Sequence, residues 1–201
     1  AEFIMRGRPQ ACLVALVGVV VPFVGPATVG LVTLRKGSFE GALVTLWASL
    51  PFFVSYFAGQ ANPFLAVMSI IALVNILLVG NVLRATASWN LVLVADALAA
   101  VGLALVAGIV FQNDLTALMS DLDEIFASAS QQLEQKFVLP PASGILAWVA
   151  WMNALSALIG LVVARWWQAL LFNPGGFQEE FQGVRLETKV GMGCLVLVIL
   201  G

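Results

Sequence analysis

Histidine is absent from this 201-residue chain, and charged residues make up only 10% of it. Without histidine, the chain lacks the side chain that most often serves as a metal ligand or as a general base near neutral pH. Soluble domains carry about 25% charged residues, so this composition cannot supply a water-facing surface on every side. The net charge of -2 also argues against nucleic-acid binding, because it provides no basic stripe for phosphates.

Recognised catalytic motifs are missing as well. The sequence has no phosphate-binding glycine loop, no nucleophile elbow and no zinc-binding helix motif. Its two cysteines, Cys12 and Cys194, lie in apolar stretches, and we interpret them as small buried residues rather than disulfide partners. We therefore predict a protein that is not an enzyme and that carries neither a cofactor nor a metal site.

Apolar residues dominate what is present: they make up 61% of the chain, and the mean hydropathy is +1.02. A helix needs about 20 apolar residues to cross the hydrocarbon core of a membrane. The sequence therefore predicts an all-α fold, a polytopic membrane helix bundle that forms a single domain over residues 1–201 within a lipid bilayer. The predicted spans are residues 11–34, 39–58, 64–83, 89–111, 144–172 and 190–201. The last is too short to cross, and we expect the chain to be truncated inside a longer protein.

Two segments depart from a simple span. Pro22 and Pro26 interrupt the first apolar run, and proline removes a helical hydrogen-bond donor. This run is therefore predicted to form a re-entrant segment or two short helices. Residues 114–137 instead place apolar side chains at intervals of three and four, with acidic residues between them. That pattern is typical of an amphipathic helix on the membrane surface.

The positions of the basic residues predict the orientation. Cytoplasmic loops of membrane proteins collect lysine and arginine. If the first run returns to the side from which it came, Arg6 and Arg8 share a side with Arg35 and Lys36. We therefore expect a cytoplasmic N-terminus, an acidic helix on the outer surface and a location in the bacterial inner membrane.

Polar residues inside the spans are the candidate site. Ionisable groups in a membrane are costly and are functional candidates by default. Asp96 and Arg165 lie at similar depth by residue count, so they could pair, and Asn75 and Asn153 are further mid-span amides. One interpretation is a polar site for a small-molecule ligand or a proton. The other is a set of clamps between helices, with Arg165 extending to the interface.

Two further features are candidate contact surfaces. Small residues spaced by four let helices approach closely. They occur in three rows, formed by Ala11 with Ala15, by Ala100, Ala104 and Gly108, and by Ala150 with Ala154. After the last long span, a helix-stopping turn precedes two phenylalanines and forms a candidate cytoplasmic docking segment for a membrane protein partner or a soluble one. Its residues are Asn173, Pro174, Gly175, Gly176, Phe177 and Phe181.

Three stretches resemble the YybS-like family of bacterial integral membrane proteins, a family of unknown function. They are residues 3–8 (FIMRGR), the proline-broken run leading to Arg35, Lys36 and Gly37, and above all residues 164–177 (ARWWQALLFNPGGF). The family is thought to be distantly similar to the substrate-binding S components of energy-coupling-factor vitamin transporters. In those proteins an Ala-x-x-x-Ala pair of the first helix docks a membrane partner, and Ala11 and Ala15 occupy a similar position here. The acidic outer helix departs from that pattern.

Two functions remain open at this point. The first, favoured by the resemblance and by the polar residues within the spans, is a small-molecule binding or transport-related subunit. The alternative is a non-catalytic scaffold or assembly factor, which would use the small-residue rows, the docking segment and the acidic helix as contact surfaces.

Overall fold

The architecture is all-helical, as predicted. A computed structural model describes residues 1–18, 21, 23–133, 139–172 and 177–178, without the side chains of residues 131–133. These residues form eight α-helices and no strand. The helices are α1 (Glu2–Met5), α2 (Arg8–Val17), α3 (Val24–Lys36), α4 (Ser38–Phe57), α5 (Pro63–Thr86), α6 (Trp89–Val110), α7 (Gln112–Leu133) and α8 (Ala142–Phe172).

Four of these helices, α4, α5, α6 and α8, are long and apolar enough to cross a membrane. Local sequence sets where two of them begin. Asn62 accepts a hydrogen bond from the backbone N–H of Phe64 before α5, and Ser88 accepts one from Leu91 before α6. Such caps satisfy backbone donors that a helix start would otherwise leave open. The chain is a multi-pass membrane protein. The predicted partial span at residues 190–201 lies outside the described residues.

The first apolar run is a hairpin of two short helices. At about 1.5 Å per residue, the ten residues of α2 and the thirteen of α3 each fall short of the ~30 Å hydrocarbon core. The backbone N–H of Gly25 donates to the carbonyl oxygen of Gly18 at 3.2 Å, which joins the two helices near the turn. At the open end, Arg8 donates hydrogen bonds to Glu40, in the first turn of α4. Because α4 follows α3 directly, both hairpin ends lie on one side.

The second helix of this hairpin, α3, lies at the centre of the bundle. It packs against α4, α5 and α8, and small residues permit the close approach. A Cβ atom added to Gly30 would lie 3.0 Å from the Cβ of Ala164 on α8. One added to Gly80 on α5 would lie 3.3 Å from Thr33. The core of this half of the bundle is therefore built around a helix that does not span the membrane.

Hydroxyl groups on the buried helix are paired within that helix. Thr28 and Thr33 are fully buried, and each donates at 2.7 Å to the backbone carbonyl four residues earlier, that of Val24 and Val29 respectively. A buried hydroxyl without a partner would cost free energy, whereas a bond to the preceding turn removes that cost. These threonines therefore fit an apolar core as small, β-branched residues.

The two ends of the bundle differ in charge. One end, which we call the basic end, holds Arg6, Arg8 and Arg84 together with the C-terminal end of α3. The guanidinium group of Arg84 lies there against Gly37. At the opposite end, the side chain of Asn62 donates to the backbone oxygen of Asp114, which joins the start of α5 to the acidic helix α7. Leu115 and Leu118 of α7 pack there against Phe64 and Met68. The amphipathic helix thus covers the end that lacks the basic residues.

This arrangement predicts the outcome of thiol labelling. In a background with Cys12→Ala and Cys194→Ala, Arg6→Cys and Lys36→Cys should react with a membrane-impermeant maleimide from the same side of sealed vesicles. Gln60→Cys should react only from the opposite side, because α4 crosses the membrane between residues 36 and 60.

Asp121→Cys on α7 provides the control, and it should label together with Gln60→Cys. Labelling of Arg6→Cys and Lys36→Cys from opposite sides would mean that the first run crosses the membrane once. That outcome would contradict the hairpin.

Candidate functional site

A buried polar pair joins α5 to α6. The side-chain amide of Asn75 donates a 2.7 Å hydrogen bond to a carboxyl oxygen of Asp96. Asp96 is only 1% exposed and Asn75 only 6%. Both residues were predicted as candidates, but the sequence did not indicate that they contact each other. The structure therefore brings Asp96 together with an amide of the neighbouring span.

A cleft of about 120 Å³ lies beside this pair, between α5, α6 and α8. Its walls are mainly apolar and come from Ile71, Val74 and Leu78 of α5 and from Ala99 and Leu103 of α6. Asn75 and Asn153 supply its polar lining. Asp96 is not part of the lining, so it lies behind Asn75. Two of the four predicted polar residues thus meet at one cavity, and a third supports it.

The two asparagines of the cleft share one hydrogen-bonding pattern. In each, the amide nitrogen has an acceptor: Asp96 for Asn75, and the backbone oxygen of Met68, at 3.3 Å, for Asn153. In each, the buried amide oxygen has no hydrogen-bond donor within the described part of the chain. A buried acceptor without a donor costs about 1–3 kcal/mol. Two residues that line the cleft therefore carry a buried, unsatisfied amide oxygen, and a hydrogen-bond donor that reached these oxygens would remove that cost.

Neighbouring elements explain why a cleft forms at this level. On the side of the basic end, α3 fills the space between α5 and α8: a Cβ atom on Gly160 would lie 2.7 Å from Pro26 and 2.6 Å from Ile76. Asn153 lies seven residues before Gly160, or about 10 Å farther along α8. The hairpin turn precedes Pro26, so α3 does not continue beside Asn153. Farther out, the cluster around Phe64 and Leu118 closes the bundle.

The cleft is open towards the side of the bundle. Val74 and Leu78, one helical turn apart on α5, are 46% and 44% exposed although they line the cavity. Because α5 crosses the membrane, such exposed side chains contact lipid. Part of the lining of the cleft is therefore exposed on the lateral surface of the bundle.

Arg165 was predicted to lie at the depth of Asp96. The structure places it on α8 one residue after the fully buried Ala164, and its side chain is partly exposed. The Asp96 carboxyl accepts a hydrogen bond from Asn75. The pairing of Asp96 with Arg165 stays a prediction. Arg165 is also absent from the residues that line the cleft.

The small-residue rows contribute to packing within the chain. Ala11 and Ala15 are almost completely buried in the core that contains α3 and α4. Gly108 faces α8, where an added Cβ atom would lie 3.2 Å from Leu146. Ala100 and Ala104 are partly exposed on the same helix. The structure therefore gives Ala11 and Ala15 a packing role inside the chain.

The predicted docking segment is described only in part. Phe177 is helical, whereas Asn173, Pro174, Gly175, Gly176 and Phe181 lie outside the described residues. Two groups not singled out from the sequence, the side-chain oxygen of Gln10 and the indole N–H of Trp89, are also buried without a partner in the described part. Both lie near the basic end, away from the cleft.

Comparisons with known proteins return nothing for this chain: no family model, no curated protein and no solved structure matches it.

Proposed function

We propose that this protein is a membrane subunit that binds a small molecule in the cleft between α5, α6 and α8. The observation that supports the proposal is the pair of buried amide oxygens, from Asn75 and Asn153, that have no donor among the described residues and belong to one cavity. Polar groups in a membrane interior are costly and are retained where they serve a site. A predominantly apolar pocket with a few polar groups is typical of ligand sites.

The proposal includes an orientation. Arg6, Arg8, Arg35, Lys36 and Arg84 gather at the basic end, and cytoplasmic faces collect such residues. The basic end and the N-terminus then face the bacterial cytoplasm, and the acidic α7 faces outward. The cleft lies in the outer half of the bundle, beyond the hairpin formed by α2 and α3. A transport-related role fits this arrangement and the distant similarity of YybS-like proteins to the S components of energy-coupling-factor transporters.

A bulky side chain in the cleft should abolish binding. Ala99 lines the cavity, and Ala99→Phe places a ring in a space of about 120 Å³. Native mass spectrometry of the protein, extracted gently from its own membranes, should show a bound small molecule on the wild type. The Ala99→Phe variant should retain at least tenfold less of this bound molecule.

The matched control is Ala97→Phe, two residues earlier on α6, where the side chain is exposed rather than directed at the cleft. It should retain the ligand at the wild-type level. A bound molecule that persists equally on both variants lies elsewhere. If the wild type carries no small molecule but does carry a stoichiometric protein partner, the scaffold alternative is correct.

A further inference from the structure

The cleft also indicates which kind of molecule it takes, and this inference rests on the proposed function. We infer that it selects an apolar molecule ending in a neutral hydrogen-bond donor, a hydroxyl group foremost, which enters sideways from the lipid. Three features of the cleft support this selectivity: the fixed orientation of two amides, the volume of the cavity and the position of its opening.

The orientation of both amides is set from behind the cleft. An asparagine side chain offers both donors and an acceptor, so an amide free to turn would accept either kind of ligand group. Here the nitrogen of Asn75 is held by the Asp96 carboxyl, and the nitrogen of Asn153 is held by the Met68 carbonyl. The two oxygens are the groups left without a donor in the described part of the chain. Asp96 is therefore a positioning residue, and the site as a whole is an acceptor site.

The surroundings disfavour a charged donor. Asp96, the nearby carboxyl group, is engaged with Asn75 and does not line the cleft, and the rest of the lining is apolar. Moving an ammonium group into such a place inside the membrane is costly. A neutral hydroxyl group loses much less solvation free energy and can donate to an amide oxygen. The chemistry therefore favours an alcohol over an amine cation.

The size of the cleft limits how much of the molecule it encloses. Pockets for drug-sized ligands measure about 300–1,000 Å³, whereas this cleft has a volume of about 120 Å³. A cavity of roughly 150 Å³ holds a benzene-sized group. Only the polar end of a larger molecule fits, and its apolar remainder would lie over the exposed side chains of Val74 and Leu78 in the lipid.

The test compares two photoreactive probes that differ in one hydrogen-bond donor. A diazirine-bearing decanol and its methyl ether are added to the full chain in vesicles of phosphatidylethanolamine and phosphatidylglycerol. Labelling of peptides from α5, α6 and α8 is then quantified. The alcohol should label these peptides about tenfold more than the ether, because the ether cannot satisfy a buried acceptor. Ala99→Phe should remove the labelling by both probes.

Asn153→Leu identifies the acceptor. It should reduce the preference for the alcohol several-fold, whereas Asn81→Leu, on α5 outside the lining of the cleft, should keep it. Equal labelling by both probes that is still blocked by Ala99→Phe overturns the donor selectivity and leaves the proposed function standing. Labelling by neither probe overturns both. A preference that survives in Asn153→Leu overturns the assignment of that residue.

Discussion

Replacing Gly160 with leucine should strongly destabilise the helix bundle. Gly160 faces α3, where even a methyl group would lie 2.7 Å from the ring of Pro26 and 3.3 Å from its backbone carbonyl carbon. The same methyl group would also lie 2.6 Å from the terminal methyl of Ile76, which can move away by a change of rotamer. The ring and the backbone of Pro26 cannot. Overpacking costs about 1–3 kcal/mol in ordinary cores, and we expect ~3 kcal/mol or more for leucine at this position. The free energy of unfolding, measured by titrating micelles with dodecyl sulfate, checks this value.

Gly102→Leu is the matched control, because it places the same substitution inside another long apolar helix. Nothing lies within 4 Å of a Cβ atom built on Gly102. Replacing glycine inside a helix by a residue of higher helix propensity stabilises the helix by up to ~1 kcal/mol. This variant should therefore be as stable as the wild type or slightly more stable. If Gly160→Leu unfolds at the same detergent concentration as Gly102→Leu, α3 does not pack between α5 and α8.

Much of the helical framework could be predicted because its signals are local. Apolar runs longer than 18 residues identify the spans, and Asn62 and Ser88 act as the caps that their positions indicated. The structure shifts the predicted boundaries of the four spanning helices by at most three residues. The broken opening segment was predicted from its prolines, and Pro26 lies in the first turn of α3, where a missing backbone donor costs little.

The central position of α3 was not predictable from hydropathy. Lipid and protein interior are both apolar, so composition does not distinguish a helix that faces lipid from one enclosed by other helices. α6 and α3 show the contrast. Leu98, Leu105 and Ile109 of α6 are largely exposed, whereas every residue from Ala27 to Thr33 is buried. The usable signal was the glycine and threonine content of α3, since small residues mark close helix packing.

The partner of Asp96 also required the structure. Counting residues from the ends of the spans gives depth but not the direction in which a side chain points around the helix, so it offered Arg165 as a possible partner and did not indicate the contact with Asn75. Asn75 lies eleven residues before the end of α5, and Asp96 lies seven residues after the start of α6, so the count alone places Asn75 four residues farther from the basic end. The rotation of α5 relative to α6 determines the contact, and it follows from packing across the whole bundle.

A double-mutant cycle on Asn75 and Asp96 should separate the structural role of this pair from its role in binding. Asn75→Leu leaves a buried carboxyl group without its donor, and Asp96→Leu leaves a buried amide N–H without its acceptor. Each single change should lower the free energy of unfolding by about 1–3 kcal/mol. The first should cost more, because an ionisable group remains in the membrane interior. Replacing both partners with leucine removes both unsatisfied groups, so the double variant should be more stable than either single variant.

Binding should follow a different order from stability in the same cycle. Asp96→Leu keeps the oxygen of Asn75 but frees its amide to turn, so the preference for an alcohol over its ether should weaken. The double variant, although the most stable of the three, has no acceptor at position 75 and should show the weakest preference. If the double variant instead binds the alcohol probe as the wild type does, Asn75 serves only to join α5 to α6. Coupled partners cannot give additive effects on the free energy of unfolding. Additive losses of stability in the cycle would therefore show that the hydrogen bond between Asn75 and Asp96 does not help to hold α5 against α6.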